Sequence, residues 1–460
     1  MSEGSAARTV ILAAGQGRRM RSRLPKVLHR VGGLPLLEHA LRLAVAVGED
    51  IPLVVVPDQG GEQVAEWLAG RAELVAQPEP LGTGDALERA LPQVGGARVL
   101  LVLPADMPLL PAEALRQLVT AREAAGAGAG LLTATRNDAS GFGRVQRSAE
   151  GGFLRVVEDA DQPWDGRPAE VNCGVYCFSL ARAREGLTRL GADNVQGERY
   201  LSWLPQLVDG GVVTVDLEDA ELATQVNDRL QLAHAEGLLR RRTLERLMRS
   251  GVTVVDPAAT WVDCDVEVGE DTVLAPGTVL RGRTRVGAGC VIGPFAELED
   301  AEVGDGCQIG RAHLAGCKLA DGVDVGPFNR VRPESSLGPN SHLGTFTEVV
   351  RSQVGAGSQV PHLTYLGDAE LGPDVNVGAG SITANWDGLQ KHRTVIDEGA
   401  RLGSDTILVA PVRVGRGAYT GAGSVVTEDV PDGALAVSRS RQRNIADYGR
   451  RRRRSAGEGG

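Results

Sequence analysis

Aliphatic residues recur at every sixth position through much of the second half of the chain. The series runs from Val262 through Val268 to Leu298, resumes at Val303 after a slip of one residue, and ends at Val426. A period of six fits neither a helix nor an alternating strand, and it predicts a parallel β-helix whose coils each contain three short strands. Glycine follows many of these residues, and its missing Cβ would let the chain turn each corner. Unrelated glycine-containing turns are the alternative, and the number of matches argues against them.

Short apolar runs alternate with helix-like stretches in the first half of the chain. The runs are Thr9–Ala13, Leu53–Val56 and Val99–Leu103, and the stretches include Leu36–Val47 and Gly61–Leu68. Buried strands that alternate with helices predict an α/β sheet whose strands are largely parallel. Ligands on such sheets bind at the carboxyl ends of the strands, so a binding site is expected there.

These patterns divide the chain into four segments. In chain order they are an α/β domain at 1–226, a linker helix at 227–250, the β-helix at 251–440 and a basic tail at 441–460. The linker has leucines at helical spacings among many arginines and ends before Gly251. The tail contains five consecutive arginines, Arg450 to Arg454, and such a run predicts a solvated, disordered end.

Composition narrows the class of protein. There are 49 Lys and Arg against 59 Asp and Glu, so the net charge is −10, which argues against a protein that coats nucleic acid or an anionic membrane. No uncharged stretch reaches the ~18 residues of a membrane span, and residues 1–8 lack the apolar core of a signal peptide. Six cysteines without a CxxC pair argue against a disulfide scaffold and predict the reduced cytoplasm.

A glycine-containing loop follows the first predicted strand. It has glycines at Gly15 and Gly17, but Met20 stands where a dinucleotide-binding GxGxxG motif needs its last glycine, so an oxidoreductase is a weak hypothesis. The loop still suits a phosphate, because glycines let backbone N–H groups approach its oxygens. Arg19 and Lys26 add charges that could stabilise a phosphoryl transition state. A plain turn is the alternative for the loop taken alone.

The full string resembles the L-x-x-G-x-G-T-x-M signature of sugar-nucleotide pyrophosphorylases, which is followed by P-K. This chain departs from the signature at Arg18, where the family has Thr. Asp106 ends a strongly apolar run, and a carboxylate in that place is a good Mg²⁺ ligand, although a turn-forming aspartate is the alternative. The resemblance implies a Rossmann-like nucleotidyltransferase domain with Arg19 and Lys26 as catalytic residues and Mg²⁺ on Asp106 and Asn227. It also implies that UTP and the sugar nucleotide bind at Leu12, Ala13, Ala14, Gly15, Lys26, Gln77, Gly82, Thr83, Gly143, Glu158, Asn172 and Asn227.

A polar string interrupts the repeat at His362. An imidazole can take up a proton near neutral pH, which acetyl transfer to an amino sugar requires, because the ammonium must lose a proton before it attacks a thioester. Glu348 lies fourteen positions earlier, nearly one coil, and could hold the imidazole in the correct tautomer. A surface histidine is the alternative for His362 taken alone.

The string from His362 to Asp368 resembles the acetyltransferase half of the bifunctional N-acetylglucosamine-1-phosphate uridyltransferases. That resemblance implies a left-handed β-helix and a homotrimer with sites between adjacent coils. It implies His362 and Glu348 as catalytic residues and Arg332, Tyr365, Asn376 and Lys391 as the glucosamine-1-phosphate site. Acetyl-CoA would bind at Ala379, Asn385, Trp386, Ser404, Ala422 and Arg439, and residues 385–394, which break the period, would form an extruded loop.

Two positions depart from this family. Trp386 replaces a tyrosine and keeps an aromatic ring, whereas Val350 replaces the lysine that grips the sugar phosphate. Arg351 follows one position later, and a shift of one residue along a strand turns a side chain to the opposite face. We therefore expect weaker binding of glucosamine-1-phosphate than in other family members.

Three hypotheses about function follow. The leading one is a cytoplasmic, two-reaction enzyme that acetylates glucosamine-1-phosphate from acetyl-CoA and then transfers UMP from UTP to the product, releasing pyrophosphate. Its UDP-N-acetylglucosamine would supply peptidoglycan and lipopolysaccharide synthesis, with small molecules and neither nucleic acid nor membrane as partners. The second is a sugar-1-phosphate nucleotidyltransferase with a structural or regulatory β-helix. The third is a regulatory subunit without catalysis, which predicts the loss of Arg19, Lys26, Asp106 and Asn227, and all four are present.

Overall fold

The computed structural model describes residues 7–48, 51–58 and 60–457. They divide into two compact units, with the boundary between Arg242 and Thr243. The division falls inside the long helix Arg229–Arg249, in the segment for which the sequence predicts a linker helix. Each unit contains its own hydrophobic core.

A nine-stranded mixed sheet forms the centre of the first unit. Its strands and a short separate hairpin (β2 and β3) are β1 (Ala7–Leu12), β2 (Arg30–Val31), β3 (Leu34–Pro35), β4 (Leu53–Pro57), β5 (Glu73–Gln77), β6 (Val99–Pro104), β7 (Ala129–Arg136), β8 (Arg144–Arg147), β9 (Phe153–Val157), β10 (Ala169–Ser179) and β11 (Val212–Asp216). The main order is β11-β7-β10-β6-β1-β4-β5, and β8 and β9 extend it as a hairpin from β10. Strand β10 runs antiparallel to both β6 and β7, whereas β1, β4, β5 and β6 are mutually parallel.

Helices cover both faces of this sheet. They are α1 (Leu36–Ala46), α2 (Glu62–Leu68), α3 (Thr83–Ala90), α4 (Ala112–Ala124) and α5 (Leu180–Thr188). Side chains of α1, α2 and α4 join one buried cluster, and those of α3 and α5 join another. Continuous apolar strands such as β6 are buried on both sides for this reason, which explains why they lack an alternating pattern.

Three parallel sheets of short strands build the second unit. The first coil sheet comprises Thr253–Val254, Val273–Leu274, Val291–Ile292, Gln308–Ile309, Asp324–Val325, His342–Thr345, Gln359–His362, Asn376–Val377, Arg401–Leu402, Tyr419–Thr420 and Leu435–Ala436. The second comprises Trp261–Val262, Val279–Arg281, Glu297–Glu299, Ala312–Ala315, Asn329–Val331, Glu348–Val350, Tyr365–Gly367, Ile382–Ala384, Ile407–Val409 and Val425–Val426. The third comprises Glu267–Val268, Arg285–Val286, Glu302–Val303, Lys318–Leu319, Ser336–Leu337, Gln353–Val354, Ala369–Leu371, Thr394–Ile396 and Val412–Val414.

The aliphatic residues of the six-residue series fill the inside of this coil. Leu274, Ile292 and Ile309 are paired in register along the first coil sheet and are fully or almost fully buried. A Cβ on Gly269 would lie 2.6 Å from the backbone nitrogen of Ala288 in the next coil, so a side chain has no room at that corner. The prediction of an α/β sheet followed by a parallel β-helix is confirmed, and the three stacked sheets agree with the left-handed form that the resemblance implies.

Two further helices lie outside these sheets. Helix α6 (Arg229–Arg249) packs its last leucines, Leu244 and Leu247, into the core of the coil. The basic tail forms a helix, α7 (Tyr448–Gly457), so the prediction of disorder is wrong for these residues, although Arg450 to Arg454 are exposed as predicted. Arginine is a good helix former, and Asp447 pairs with Arg450 three residues later. Among the described residues, no helix has both the length and the apolar character needed to cross a membrane.

Candidate functional site

A cavity of about 710 Å³ opens at the carboxyl ends of β1, β5 and β6 in the first unit. All the residues for which the sequence predicts a role in nucleotidyl transfer line it, although they come from many separate segments. They are Leu12, Ala13, Ala14, Gly15, Arg19, Lys26, Gln77, Gly82, Thr83, Asp106, Gly143, Glu158, Asn172 and Asn227. The structure therefore brings this whole set together in one cleft.

The glycine-containing loop bends sharply at the entrance of the cavity. Gly17 adopts a left-handed backbone with φ of 58°, and a Cβ there would lie 2.7 Å from Cβ of Lys26. Only glycine therefore lets the loop close over Lys26. Arg19 is exposed at the cavity, as is Arg18, whose Nε donates to Oε1 of Gln16 at 2.8 Å.

Lys26, Asp106 and Asn227 meet on one side of the cavity. Nζ of Lys26 donates to Oδ2 of Asp106 at 2.5 Å and to Oδ1 of Asn227 at 3.1 Å. The other carboxylate oxygen of Asp106, Oδ1, is buried and has no hydrogen-bond partner among the described residues. A buried anionic oxygen without a partner beside an amide oxygen suits a hard cation such as Mg²⁺, which typically takes one or two protein oxygens together with substrate phosphates.

Glu158 and Asn172 also line the cavity. Burial raises the pKa of the Glu158 carboxyl, and the hydroxyl of Ser202 donates to its Oε1. A Cβ on Gly143 would lie 2.9 Å from that oxygen, so the glycine makes room for the carboxylate. Nδ2 of Asn172 donates to the Tyr176 hydroxyl at 2.7 Å, across a register shift in β10.

Hydrogen bonds join Gln77, at the end of β5, to the loop before α3 and to the beginning of that helix. Nε2 of Gln77 donates to the carbonyl of Gly82 at 3.0 Å and to Oδ2 of Asp85 at 2.8 Å. The backbone N–H of Leu201 donates to the Thr83 hydroxyl at 3.0 Å. Gly82 has φ of 103°, and a Cβ there would meet the backbone of residue 199 at 2.6 Å, so the position requires glycine.

Several polar side chains without a predicted role also belong to this cavity. Ser202, Tyr176, Gln225 and Gln231 all line it. Gln225 and Gln231 flank Asn227 within four positions and could have been found from that proximity, since Oε1 of Gln231 accepts from the Asn227 backbone at 2.7 Å. No pattern in the chain distinguishes Ser202 from other serines.

In the second unit, five of the predicted acyl-transfer residues lie along one edge of the coil. His362 ends its strand and is exposed. The register pairs Gln359 with Asn376, Asn376 with Arg401 and Arg401 with Tyr419, so the equivalents of His362 in later coils are Ala379, Ser404 and Ala422. Nη1 of Arg439 donates to the Ala422 carbonyl at 2.7 Å and extends this edge column. We use the name edge column for these five residues.

Glu348 does not lie in the coil position that its spacing suggests. The register partner of His362 is Thr345, seventeen residues earlier, whereas that of Glu348 is Tyr365. Glu348 forms an ion pair with Arg332 at 3.6 Å, and the described residues contain no hydrogen bond between Glu348 and His362. A separation of fourteen residues falls three short of one coil there, and the catalytic role of Glu348 stays a prediction.

The remaining predicted sugar-phosphate residues occupy three different places. Tyr365 lies beside Glu348 on the second coil sheet, and Asn376 lies on the first. Lys391 is exposed on the loop at 385–393, where it forms a β-bridge with Trp386. Val350 faces outward by its alternation with Val349, yet only 3% of its surface is exposed.

The extruded loop leaves the coil after the strand Ile382–Ala384 and returns at Thr394. Asn385, at its start, is 8% exposed, whereas Trp386 is 58% exposed. Its ends are joined by a bond from the His392 N–H to the Asn385 carbonyl at 2.8 Å. The hydrogen bonds that Asp387 accepts from the Gln390 N–H, His392 and the Leu389 N–H lower its pKa to about 2. This loop interrupts the period where the sequence indicates.

Two family models match the chain. The MobA-like NTP transferase domain matches residues 9–201, and the bacterial transferase hexapeptide, a model of six repeats, matches residues 265–300. Proteins named "Bifunctional protein GlmU" resemble almost the whole chain. That of Mycolicibacterium gilvum is 45% identical over 98% of this chain and 93% of its own length, and that of Mycolicibacterium vanbaalenii is 46% identical over 97% and 93%. That of Mycolicibacterium smegmatis is 43% identical over 97% of this chain and 95% of its own length.

Proposed function

Because the chain belongs to the family of bifunctional GlmU proteins, we propose that it catalyses both transfers of UDP-N-acetylglucosamine synthesis. The second unit acetylates the amine of glucosamine-1-phosphate with acetyl-CoA. The first unit joins the N-acetylated product to UMP from UTP and releases pyrophosphate. The observation that carries this proposal is the gathering of every predicted nucleotidyl-transfer residue in one cavity, together with the edge column on the coil.

Acetyl transfer needs a base for the sugar ammonium. His362 is exposed at the end of its strand, so its imidazole can take a proton from the ammonium. The free amine then attacks the thioester carbon, the carbon–sulfur bond breaks, and the departing thiolate receives a proton. The small side chains of Ala379, Ser404 and Ala422 beyond His362 leave space along the edge for an extended thioester ligand, and Arg439 offers a charge at the far end.

On the sugar side, Arg332, Tyr365, Asn376 and Lys391 hold the phosphate and the ring in this proposal. Asn385 and Trp386 complete the acetyl-CoA site from the extruded loop. These residues lie on different sheets and on the loop in one chain, and a homotrimer whose sites lie between adjacent coils would bring them together. We propose the cytoplasm as the place of action, where both nucleotide and thioester substrates are available.

Uridyl transfer requires in-line displacement at the α-phosphate of UTP. An oxygen of the sugar phosphate attacks, pyrophosphate leaves, and no covalent bond to the protein forms. Arg19 and Lys26 stabilise charge on the phosphoryl oxygens, and the loop of Gly15 presents backbone N–H groups. Asp106 and Asn227 would hold Mg²⁺, which when bound neutralises phosphate charge. Glu158 and Asn172 orient the sugar, and Gln77 faces the base.

A pair of assays on the purified protein tests the proposal. We expect acetyl-CoA consumption with glucosamine-1-phosphate, and pyrophosphate release with N-acetylglucosamine-1-phosphate, UTP and Mg²⁺. Pyrophosphate release alone would select a single-function nucleotidyltransferase with a structural coil, a candidate that the replacement of the family lysine by Val350 favours. The absence of both activities would refute the proposal.

Substitution of Glu158 by glutamine should stabilise the fold at neutral pH and weaken the binding of N-acetylglucosamine-1-phosphate. Burial raises the pKa of Glu158 in the folded protein above its value in the unfolded chain. The fold is therefore most stable below the unfolded pKa, and its free energy of unfolding falls as pH rises through the folded pKa. Glu158→Gln should therefore raise the unfolding temperature at neutral pH, with no gain below the ordinary pKa of a glutamate. It should also raise KM for N-acetylglucosamine-1-phosphate about tenfold, since a charged hydrogen-bond acceptor is lost. Exposed Glu66 supplies the control, and equal effects of Glu66→Gln and Glu158→Gln would contradict the assignment.

Restoring the family lysine should strengthen sugar binding. Val350→Lys is expected to lower KM for glucosamine-1-phosphate about tenfold, because a lysine stem can pack at a buried outward position and carry its ammonium to the surface. KM for acetyl-CoA should not change. Val291→Lys, at an exposed outward position of the first coil sheet, is the matched control. An unchanged KM in Val350→Lys would mean that the missing lysine does not weaken binding.

A further inference from the structure

Arg351 lies at a corner of the coil, directly after the strand Glu348–Val350. Its φ is 46°, a left-handed backbone that is uncommon for a residue with a long side chain. Asp368, one coil later, has φ of 49°. Left-handed corners recur along the coil, as at Asp300, Glu334 and Asp374, so this backbone is the ordinary corner geometry of the repeat.

The side chains of these two corner residues form a fork-to-fork ion pair. Nε and Nη2 of Arg351 donate to the two carboxylate oxygens of Asp368, each at 2.8 Å. The hydrogen bonds from the Arg351 guanidinium, and to a lesser degree from the Asn385 amide, hold the pKa of Asp368 below its usual range, although burial acts in the opposite direction. This planar two-bond geometry fixes the carboxylate more firmly than a single-point contact would.

Asp368 in turn binds both ends of the extruded loop. Its Oδ2 accepts a hydrogen bond from Nδ2 of Asn385, and its backbone carbonyl accepts one from the Thr394 N–H at 3.1 Å. A carboxylate only accepts hydrogen bonds, so this contact sets the orientation of the Asn385 amide, with nitrogen towards Asp368. Between these two ends lie Trp386 and Lys391.

We infer that Arg351 is a positioning residue for acetyl transfer, acting through Asp368 to fix Asn385 and the loop at 385–394. This inference rests on the proposed acetyltransferase function of the coil and adds a residue to which the family resemblance gives no role. Arg351 does not take the place of the missing lysine at 350, because its fork is engaged by Asp368, one coil after Glu348 and two coils after Arg332.

A double-mutant cycle tests the relay. Arg351→Met should lower kcat/KM for acetyl transfer at least about tenfold, because small displacements of a positioned group have large effects on rate. In an Asn385→Ala background, the same substitution should change kcat/KM less than about twofold, because the side chain that Arg351 positions through Asp368 is already absent. Arg351→Lys, which keeps the charge but loses the fork, should fall between wild type and Arg351→Met.

Controls separate this relay from general damage to the coil. Arg413 also pairs with an aspartate of the coil, with its Nε 2.7 Å from Oδ2 of Asp397, and Arg413→Met should leave acetyl transfer within about twofold of wild type. Equal losses from Arg351→Met with and without Asn385 would overturn the relay, as would a loss that Arg413→Met reproduces. A wild-type protein without acetyl transfer would instead overturn the proposed function itself.

Discussion

Replacement of His362 by alanine is expected to reduce acetyl transfer by about 10²- to 10⁴-fold and to leave uridyl transfer unchanged. The imidazole is the one proposed base in the edge column, and without it the ammonium of glucosamine-1-phosphate keeps the proton that blocks attack on the thioester. The uridyl-transfer cavity belongs to the other compact unit and contains none of the coil residues. Initial rates of both reactions on the same preparation measure the effect.

His313 provides a matched control for this experiment. It lies on an outward position of the second coil sheet, in the strand Ala312–Ala315, and has no role in the proposal. His313→Ala should retain both activities. If His362→Ala keeps more than about a tenth of the acetyl-transfer rate, the histidine is not the base, and the surface-histidine alternative would be correct.

Replacement of Asp106 by alanine should have the reverse effect, with a loss of uridyl transfer of about 10²- to 10³-fold or more. The substitution removes the buried Oδ1 that suits Mg²⁺ and also leaves Lys26 without its partner at 2.5 Å. Acetyl transfer should remain, and removal of divalent cations with a chelator should reproduce this pattern in the wild type. Pyrophosphate release and acetyl-CoA consumption, measured in parallel, give the two readouts.

Loss of a buried ion-pair partner can also destabilise the first unit, so a second substitution is needed. Asp106→Asn keeps the volume and an acceptor for Lys26, yet removes the charge, and it should remain folded and still lose uridyl transfer. Asp58, exposed at the carboxyl end of β4, is the matched control, and Asp58→Ala should retain activity. Full uridyl transfer in Asp106→Asn would contradict the metal-binding role.

The sequence predicts the repeat well, because each aliphatic residue of the series enters the same environment in every coil. Leu274, Ile292 and Ile309 show this directly, since they stack in register with almost no exposed surface. In the first unit, the strand pattern predicts a site at the carboxyl ends of the strands and points to Asp106, whereas the full set of site residues could be predicted only through the family motifs. Lys26 contacts Asp106 and Asn227, which lie 80 and 201 positions away, and no local sequence pattern predicts contacts at such separations.

Local geometry decides what the linear pattern leaves open. Counting positions puts Glu348 nearly one coil before His362, whereas the register shows that the coil there takes seventeen residues. Arg351 directly follows a strand, and strand alternation predicts only that its side chain points away from the face that Val350 occupies. Its left-handed backbone at the corner is what directs the side chain to Asp368. The antiparallel direction of β10 likewise depends on pairing with β6 and β7, which apolar runs do not encode.

Helix α6 covers the beginning of the coil, where Leu244 and Leu247 close the core, whereas Leu435 and Val437 at the last strand remain largely exposed. In a solenoid each turn is stabilised chiefly by its two neighbours, so melting spreads from the weaker terminus as a zipper opens. The far terminus of this solenoid holds Ala422 and Arg439. Gentle heating should therefore abolish acetyl-CoA binding first, while uridyl transfer in the other unit continues.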